Sequence, residues 1–504
     1  MSPGILWFER DLRLSDHPAL TQAIAAGGPV IPLFIFEPLD IEGAGTAFQW
    51  RLGKSLLSLQ RSIEAIGGQM VFRRGDALEV LETLVDAVDA KHVWKSESRH
   101  PNAVKRDVKI TARLAKRGVE LKNFPGRYLA PYEGLSPKTG GFFKVYTPFW
   151  RAFSALPEPE TPPPPPTKWP APPKWPYSEN LQHITDDTIS RGMHRGAAVL
   201  ASCAGPVGEA AARRRLETFL DKSVAGYRNN RNRLDFEGVS RLSAYLATGE
   251  ISPGRVWTAT RAAVAAEPEK AAGAEIFLKE VVWREFAWNL VVYTPHILER
   301  NWRSEWDAFP WRDDNADAER WRRGETGVDL VDAAMRELYV SGVMHNRARM
   351  LVASYLTKHL MTDWRVGEAW FRDCLIDFDP ASNAMGWQWT AGCGPDAAPF
   401  FRIFNPETQA SKFDPELIYR KKWLPERFAQ AGLFSARDSA LGWRFFDAAP
   451  VRWQRSSTAS ATPPRPAPII SLSEGRSRAL SAYQQVPKAK AYAAPISTKH
   501  HRLI

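Results

Sequence analysis

Two unlike halves are predicted for this chain of 504 residues: an α/β domain built on a doubly wound parallel sheet, then an all-α domain. Three observations predict them. Short apolar runs alternate with longer amphipathic stretches as far as about Leu129; a proline-rich segment follows; and beyond about Gly208 the apolar residues recur with long helical periods.

Taken in order, the apolar runs are ILWF, PVIPLFIFEP, QMVFRR, KHVWKS and VELKNFP, spaced widely enough for a helix between each pair. That is a repeated β-α-β pattern, assigned to a domain spanning 1–131. No GxGxxG follows the first run, which excludes the simplest dinucleotide-binding reading of this half. Residues 132–207 read as an interdomain linker, because LPEPETPPPPPTKWPAPPKWP loses a backbone donor at every proline and favours extended polyproline conformation. AGAEIFLKEVVWREFAWNLVVY and LVDAAMRELYVSGVMHNRARMLVASYLTKHLM then mark a helical domain over 208–434. From 435 to 504 the chain loses periodicity, with a Ser/Thr/Pro/Ala mixture, one short helix in SEGRSRALSAYQQV and a basic end expected to be disordered.

The net charge of +11 suits a polyanionic partner, since phosphate contacts release counterions. From Val451 onward nine Lys and Arg face one acid, a surplus of eight, so the body of the protein is only mildly cationic. No apolar run reaches membrane-spanning length and the start lacks a leader pattern, so a cytoplasmic protein without a membrane partner is expected. Cys203, Cys374 and Cys393 are too few for a disulfide framework or a four-thiolate cluster, and no metal site is expected.

The stretch from Leu375 to Pro406 crowds three aspartates, two asparagines, two tryptophans and an arginine into a segment with no plain period. Asp377 and Asp379 offer acceptors to N–H and hydroxyl groups of a ligand, and Asn383 can both donate and accept. Trp387 and Trp389, two apart, cannot share a helical face. Glu280, Trp283 and Arg284 do share one, at i, i+3 and i+4; a half-buried indole beside an ordinary salt bridge is the plainer reading of that trio. Asn346 and Met350 make a second such face with Arg347 beside them. Ser240, Arg241 and Ser243, after a glycine at an expected helix start, offer hydroxyls, a cation and free amides to a diphosphate.

Together these residues resemble the flavin-binding signature of the photolyase and cryptochrome family, most closely its class I branch acting on cyclobutane pyrimidine dimers (CPD). The likeness spans roughly residues 4–427 and returns at PAPIISLSEGRSRAL, with further landmarks in Trp7 to Arg13, KTGGFFKVYTPFW and WRRGETGVDLVDAAMREL. The resemblance implies FAD held by Tyr227, Ser240, Arg241, Leu242, Ser243, Glu280, Arg284, Asn346, Asp377, Asp379 and Asn383. Val239 stands where relatives commonly have threonine, so one hydroxyl contact is missing. It implies light-driven repair of UV-damaged DNA by a monomer, with Trp283 and Trp389 clamping a flipped-out dimer, Asn346 and Met350 touching its pyrimidines, and Arg231, Arg347 and Arg402 holding phosphates. Glu280 would hydrogen-bond the pyrimidine, Asn383 would sit by the flavin ring nitrogen that changes protonation, and Trp387, Trp364 and Trp311 would relay electrons to the flavin.

An antenna chromophore of folate or deazaflavin type is open, because Ala103 follows Asn102 where folate-binding relatives carry glutamate. The alternative function is a cryptochrome-like blue-light photoreceptor without repair, supported by the unusual C-terminal stretch.

Overall fold

The computed structural model describes residues 2–37, 42–129, 135–159, 163–182, 197–397, 401–428, 444–445 and 466–487. The five predicted apolar runs form β1 (Gly4–Phe8), β2 (Val30–Phe36), β3 (Val71–Arg74), β4 (His92–Ser96) and β5 (Glu120–Phe124). They pair in parallel in the order β3-β2-β1-β4-β5. Helices cover both faces, so β1 is buried at all five positions and reads as a continuous apolar run rather than an alternation. Separate cores lie on the two faces, one around Phe8, Phe34 and Trp94, the other around Ile5, Leu33 and Val93.

The strand β1 feeds directly into the junction between the halves. Arg10, just past its end, donates to the Phe378 carbonyl (3.1 Å), and Arg13 donates to the Gly249 carbonyl (3.2 Å). The stretch expected as a linker divides its residues between the two domains. The helix Tyr146–Phe153 packs with Trp257, Phe286 and Trp288 in a helical core, while Trp169 returns to the sheet, its indole donating to the Val30 carbonyl (2.8 Å). Proline removes backbone donors but leaves aromatic neighbours free to bury, which is why this segment docks.

The second half is helical, as predicted. Its longest helix, Ala271–Tyr293, is buried nearly all round; Asn346–Ser354, Trp364–Cys374 and Pro380–Ala391 pack around one another and against it. The short C-terminal helix is present as Leu472–Gln485 and seats Ala479 and Ala482 against the turn Tyr355–His359. The expectation of disorder falls mainly on 446–465 and 488–504, outside the described residues.

Candidate functional site

The segment that showed no period holds a helix, Pro380–Ala391. It has apolar and polar groups buried on all sides, including Asn383, Trp387, Gln388 and Thr390, so no stripe could betray it. Asp379 caps its start, accepting from the Ser382 amide (2.8 Å) and, through its other oxygen, from the Trp288 indole (3.0 Å). That carboxylate therefore positions the helix with both oxygens engaged.

Asp377 is different. One oxygen pairs with Arg349 at 2.7 Å, and the other is buried without a hydrogen-bond partner. A buried acceptor left open costs about 1–3 kcal/mol unless a donor meets it, so this atom fits a ligand N–H or hydroxyl. Asn383 is turned by Glu368: its Nδ2 donates to the Glu368 carboxylate (2.9 Å) and carbonyl (3.3 Å). With the nitrogen committed, the amide oxygen is the end offered to a ligand. Burial pushes the Glu368 carboxyl up, while Arg372 and the Asn383 amide pull the other way.

Trp387 lies beside them, 2% exposed, edge-on to Phe371 (4.9 Å) and Trp321 (6.1 Å), its indole N–H unpartnered. Gly367 makes room for it, because a Cβ there would fall 2.1 Å from the Trp387 ring. Trp364 is also buried and donates to Asn301 (2.8 Å), whereas Trp311 is half-exposed and leans on Trp306 at 6.3 Å. Trp387 and Trp364 are thus enclosed, while Trp311 reaches solvent. Trp387 makes its edge-on ring contacts with Phe371 and Trp321.

On Ala271–Tyr293, Glu280 and Trp283 both lie near Tyr146, and Arg284 does not join them. It donates to the Arg127 carbonyl (3.0 Å) and pairs with buried Glu285 (3.1 Å), a carboxylate that needs a cation nearby. Glu280 is bonded to Arg231, which follows the turn Tyr227–Asn230. Trp283 lies flat on Tyr146, ring centroids 3.7 Å apart and planes 7° apart, so one indole face is covered by protein.

Asn346 is exposed, its amide 4.0 Å from the Met350 sulfur. Arg347 donates to Asn232 (2.7 Å), and its Nε is buried and unpartnered. His345 caps this helix through Nδ1, accepting from the Arg347 amide (3.1 Å); burial and neighbouring arginines lower it to about 4, leaving a neutral cap rather than an acid. Trp389 donates to the Asp396 carbonyl (3.0 Å), with Arg402 5.9 Å from its ring.

The diphosphate candidates are more mixed. The helix begins at Ser243, not Ser240, and Leu242 is buried, so only its backbone can reach a ligand. The Arg241 guanidinium is held by Glu237, and the Ser240 carbonyl by Arg215 (2.7 Å). Tyr227 is buried edge-on between Phe219 and Phe277. Ala103 is fully buried at the start of Pro101–Ala115.

Sequence reasoning missed Tyr146, Asn232, Arg349 and Glu368. Each acts through a side chain distant in sequence; Tyr146 stood in the landmark KTGGFFKVYTPFW, Asn232 next to Arg231 and Arg349 between Arg347 and Met350, whereas no motif pointed to Glu368.

Residues 277–485 match the family model described as the FAD binding domain of DNA photolyase, and residues 4–169 match that of DNA photolyase. A deoxyribodipyrimidine photo-lyase of Agrobacterium fabrum is 40% identical over 97% of the chain and 98% of its own length; that of Escherichia coli is 32% identical over 97% and 100%. The crystal structure of a bacterial class III photolyase from Agrobacterium tumefaciens superposes with a TM-score of 0.85 at 40% identity, covering 96% of this chain and 98% of that one. An archaeal photolyase from Sulfolobus tokodaii with two FAD molecules superposes at 0.73 with 27% identity over 96% and 100%. Among the described residues, no helix is long and apolar enough to cross a membrane.

Proposed function

The chain belongs to the DNA photolyase family, and we propose that it uses FAD and light to split cyclobutane pyrimidine dimers in DNA. The observation that carries this reading is the pair of oriented acceptors, the open Asp377 oxygen and the amide oxygen of Asn383 fixed by Glu368, the latter on a helix packed against the one that bears Glu280 and Trp283. FAD, when bound, supplies the light-excited electron and takes it back.

The chain's own residues do the rest. Asp377 and Asn383 orient the flavin ring, Trp283 and Trp389 stack on a flipped dimer, and Asn346 and Met350 edge it. Base stacking on aromatics is worth about 1–3 kcal/mol per base. Arg231, Arg347 and Arg402 hold flanking phosphates of a DNA partner bound by a monomer. Of the cofactor set, Tyr227, Ser240, Arg241, Leu242 and Ser243 serve the diphosphate end, with Arg241 released from Glu237.

Within the family the class III type is the better supported reading. The class I likeness rests on site motifs, whereas the class III structure matches 96% of the chain.

Repair of a dimer-containing oligonucleotide under blue light, absent in darkness, is the expected result. Light-independent FAD and DNA binding without repair would favour the photoreceptor reading and overturn this one. Trp387→Phe should abolish photoreduction of oxidised flavin yet spare repair by chemically reduced protein, and normal photoreduction would remove the tryptophan relay.

A further inference from the structure

Resting on the repair reading, we propose that Arg231 is a latch on Glu280 which the lesion-flanking phosphates open, so that binding dimer-containing DNA brings one proton from solvent onto Glu280. Two elements distant in sequence make the latch. Arg231 lies just past the turn Tyr227–Asn230, Glu280 near the middle of Ala271–Tyr293, and the Arg231 Nη1 donates to Glu280 Oε1. Each side chain is 34% exposed, so the pair stands at the mouth of the site rather than in its floor, where a phosphate can compete for the guanidinium.

The groups around Glu280 leave it dependent on that one partner. Tyr227 and Tyr146 face it as neutral phenols, Arg347 approaches from Asn346–Ser354, and Asp396 lies beyond Tyr146. On its own helix, Lys279 is taken by Glu275 at 2.6 Å and Arg284 by Glu285. Arg347 is already turned to Asn232 and is itself placed to meet DNA. Burial raises the Glu280 carboxyl, and Arg231 is the first cation holding it down. A pyrimidine lying on Trp283, three residues along the same helix face, would close the remaining solvent access to Glu280.

Arg231 drawn to phosphate then leaves a sealed carboxylate, which is costly unless it is neutralised. As a carboxylate Glu280 offers only acceptors to pyrimidine carbonyl oxygens, which are acceptors too. With one proton it becomes a donor to them. The exchange balances: one guanidinium moves from carboxylate to phosphate, one solvent proton moves to a Glu280 oxygen, and no other bond changes. Lesion recognition and readiness of the hydrogen-bond donor are thereby one event, since undamaged DNA, with no base over Trp283, leaves Glu280 open to water.

The experiment is titration calorimetry of the flavin-loaded protein in darkness at pH 7, in buffers of differing ionisation heat, with a dimer duplex and its undamaged counterpart. About one proton should be taken up with the dimer duplex and close to none with the undamaged one. Dimer affinity should rise up to tenfold per unit fall in pH between the pH at which Glu280 titrates in the bound protein and that at which it titrates in the free protein, and flatten below the latter. Glu280→Gln, which retains a donor, should bind the dimer duplex with no proton uptake and a flat pH profile. Arg231→Ala should reduce uptake, because without its cation partner the buried carboxyl of the free protein holds a proton more readily. A duplex bound and repaired without uptake, or uptake unchanged in Glu280→Gln, overturns the latch alone. A duplex neither preferred nor repaired overturns the repair reading and the latch with it.

Discussion

The buried charges of the α/β half and those of the helical site are arranged in opposite ways. At the end of β1 and β4, Lys95 meets both Glu9 (2.8 Å) and Asp107 (2.6 Å), and Arg106 meets Glu9, Glu37 and Asp107 within 2.9 Å. Cations and acids there satisfy one another, and the Glu9 carboxyl, despite a burial cost, is drawn down to about 2 by Lys95 and Arg106. In the helical site, Arg347 donates to a neutral amide and lies over the Phe413 ring, one Asp377 oxygen is open, and one Arg-Glu pair stands at the rim. A closed charge network holds a fold together; an open one waits for something charged from outside.

Breaking the closed network should give the largest effect, and one confined to stability. Asp107→Ala leaves Lys95 fully buried with Glu9 still beside it, so the loss should lie near the low end of the ~3–5 kcal/mol typical of a broken buried pair. Urea denaturation measures it. A variant as stable as the parent would mean that the network is only decoration.

Acid should separate the halves next. His345 and His359 are both lowered to about 4, by burial first and neighbouring arginines second. Their folded values lie below the ordinary 6.5, so the stability they lend to the neutral state is complete above pH 6.5 and falls as pH drops towards 4. The slope is about 1.4 kcal/mol per pH unit for each. Glu9 is lowered too, but from 4.5, so its stability is complete above that value and lost only as pH falls towards 2. At pH 5, hydrogen exchange should therefore quicken around 345–359 while β1 and β4 stay protected. Equal protection in both regions would refute the contrast.

The two regions were legible in the sequence to different degrees, and the reason is physical. Strand runs announce themselves because both faces of a parallel sheet are apolar, and β1 to β5 fall where the runs stood. The candidate site was proposed from residue types, and Glu280, Trp283, Asn346, Arg347, Met350, Asp377 and Asn383 lie on helices that pack together or on the chain leading into them. Their orientations were not legible. Arg284 satisfied the helical spacing yet turned to Glu285, and Asn383 took its direction from Glu368, fifteen positions earlier on another helix. Spacing fixes which residues share a face, whereas tertiary neighbours decide which atoms remain free.

The open arginines give a third, smaller effect. Arg347→Ala should weaken dimer-DNA binding by about 1–3 kcal/mol and reduce the slope of log affinity against log salt by about one, with little change in thermal stability. A large fall in melting temperature would instead assign Arg347 to the closed kind of network, through its bond to Asn232.

The smallest effect tests an absent contact. Val239 is half-buried against a core of Leu216, Tyr227 and Leu242, and its carbonyl is already held by Arg215 at 2.8 Å, so the backbone there is fixed whatever side chain it carries. Val239→Thr replaces a methyl by a hydroxyl at nearly constant volume, beside the residues proposed for the flavin diphosphate. If that group lies there, the hydroxyl should gain one hydrogen bond and tighten FAD binding by about 0.5–1.5 kcal/mol, read from reconstitution of the flavin-free protein. If the diphosphate lies elsewhere, the hydroxyl meets only apolar neighbours, FAD affinity does not improve, and the protein loses stability by the cost of an unpartnered polar group. The sign of the change alone therefore decides where the open half of the molecule receives its cofactor.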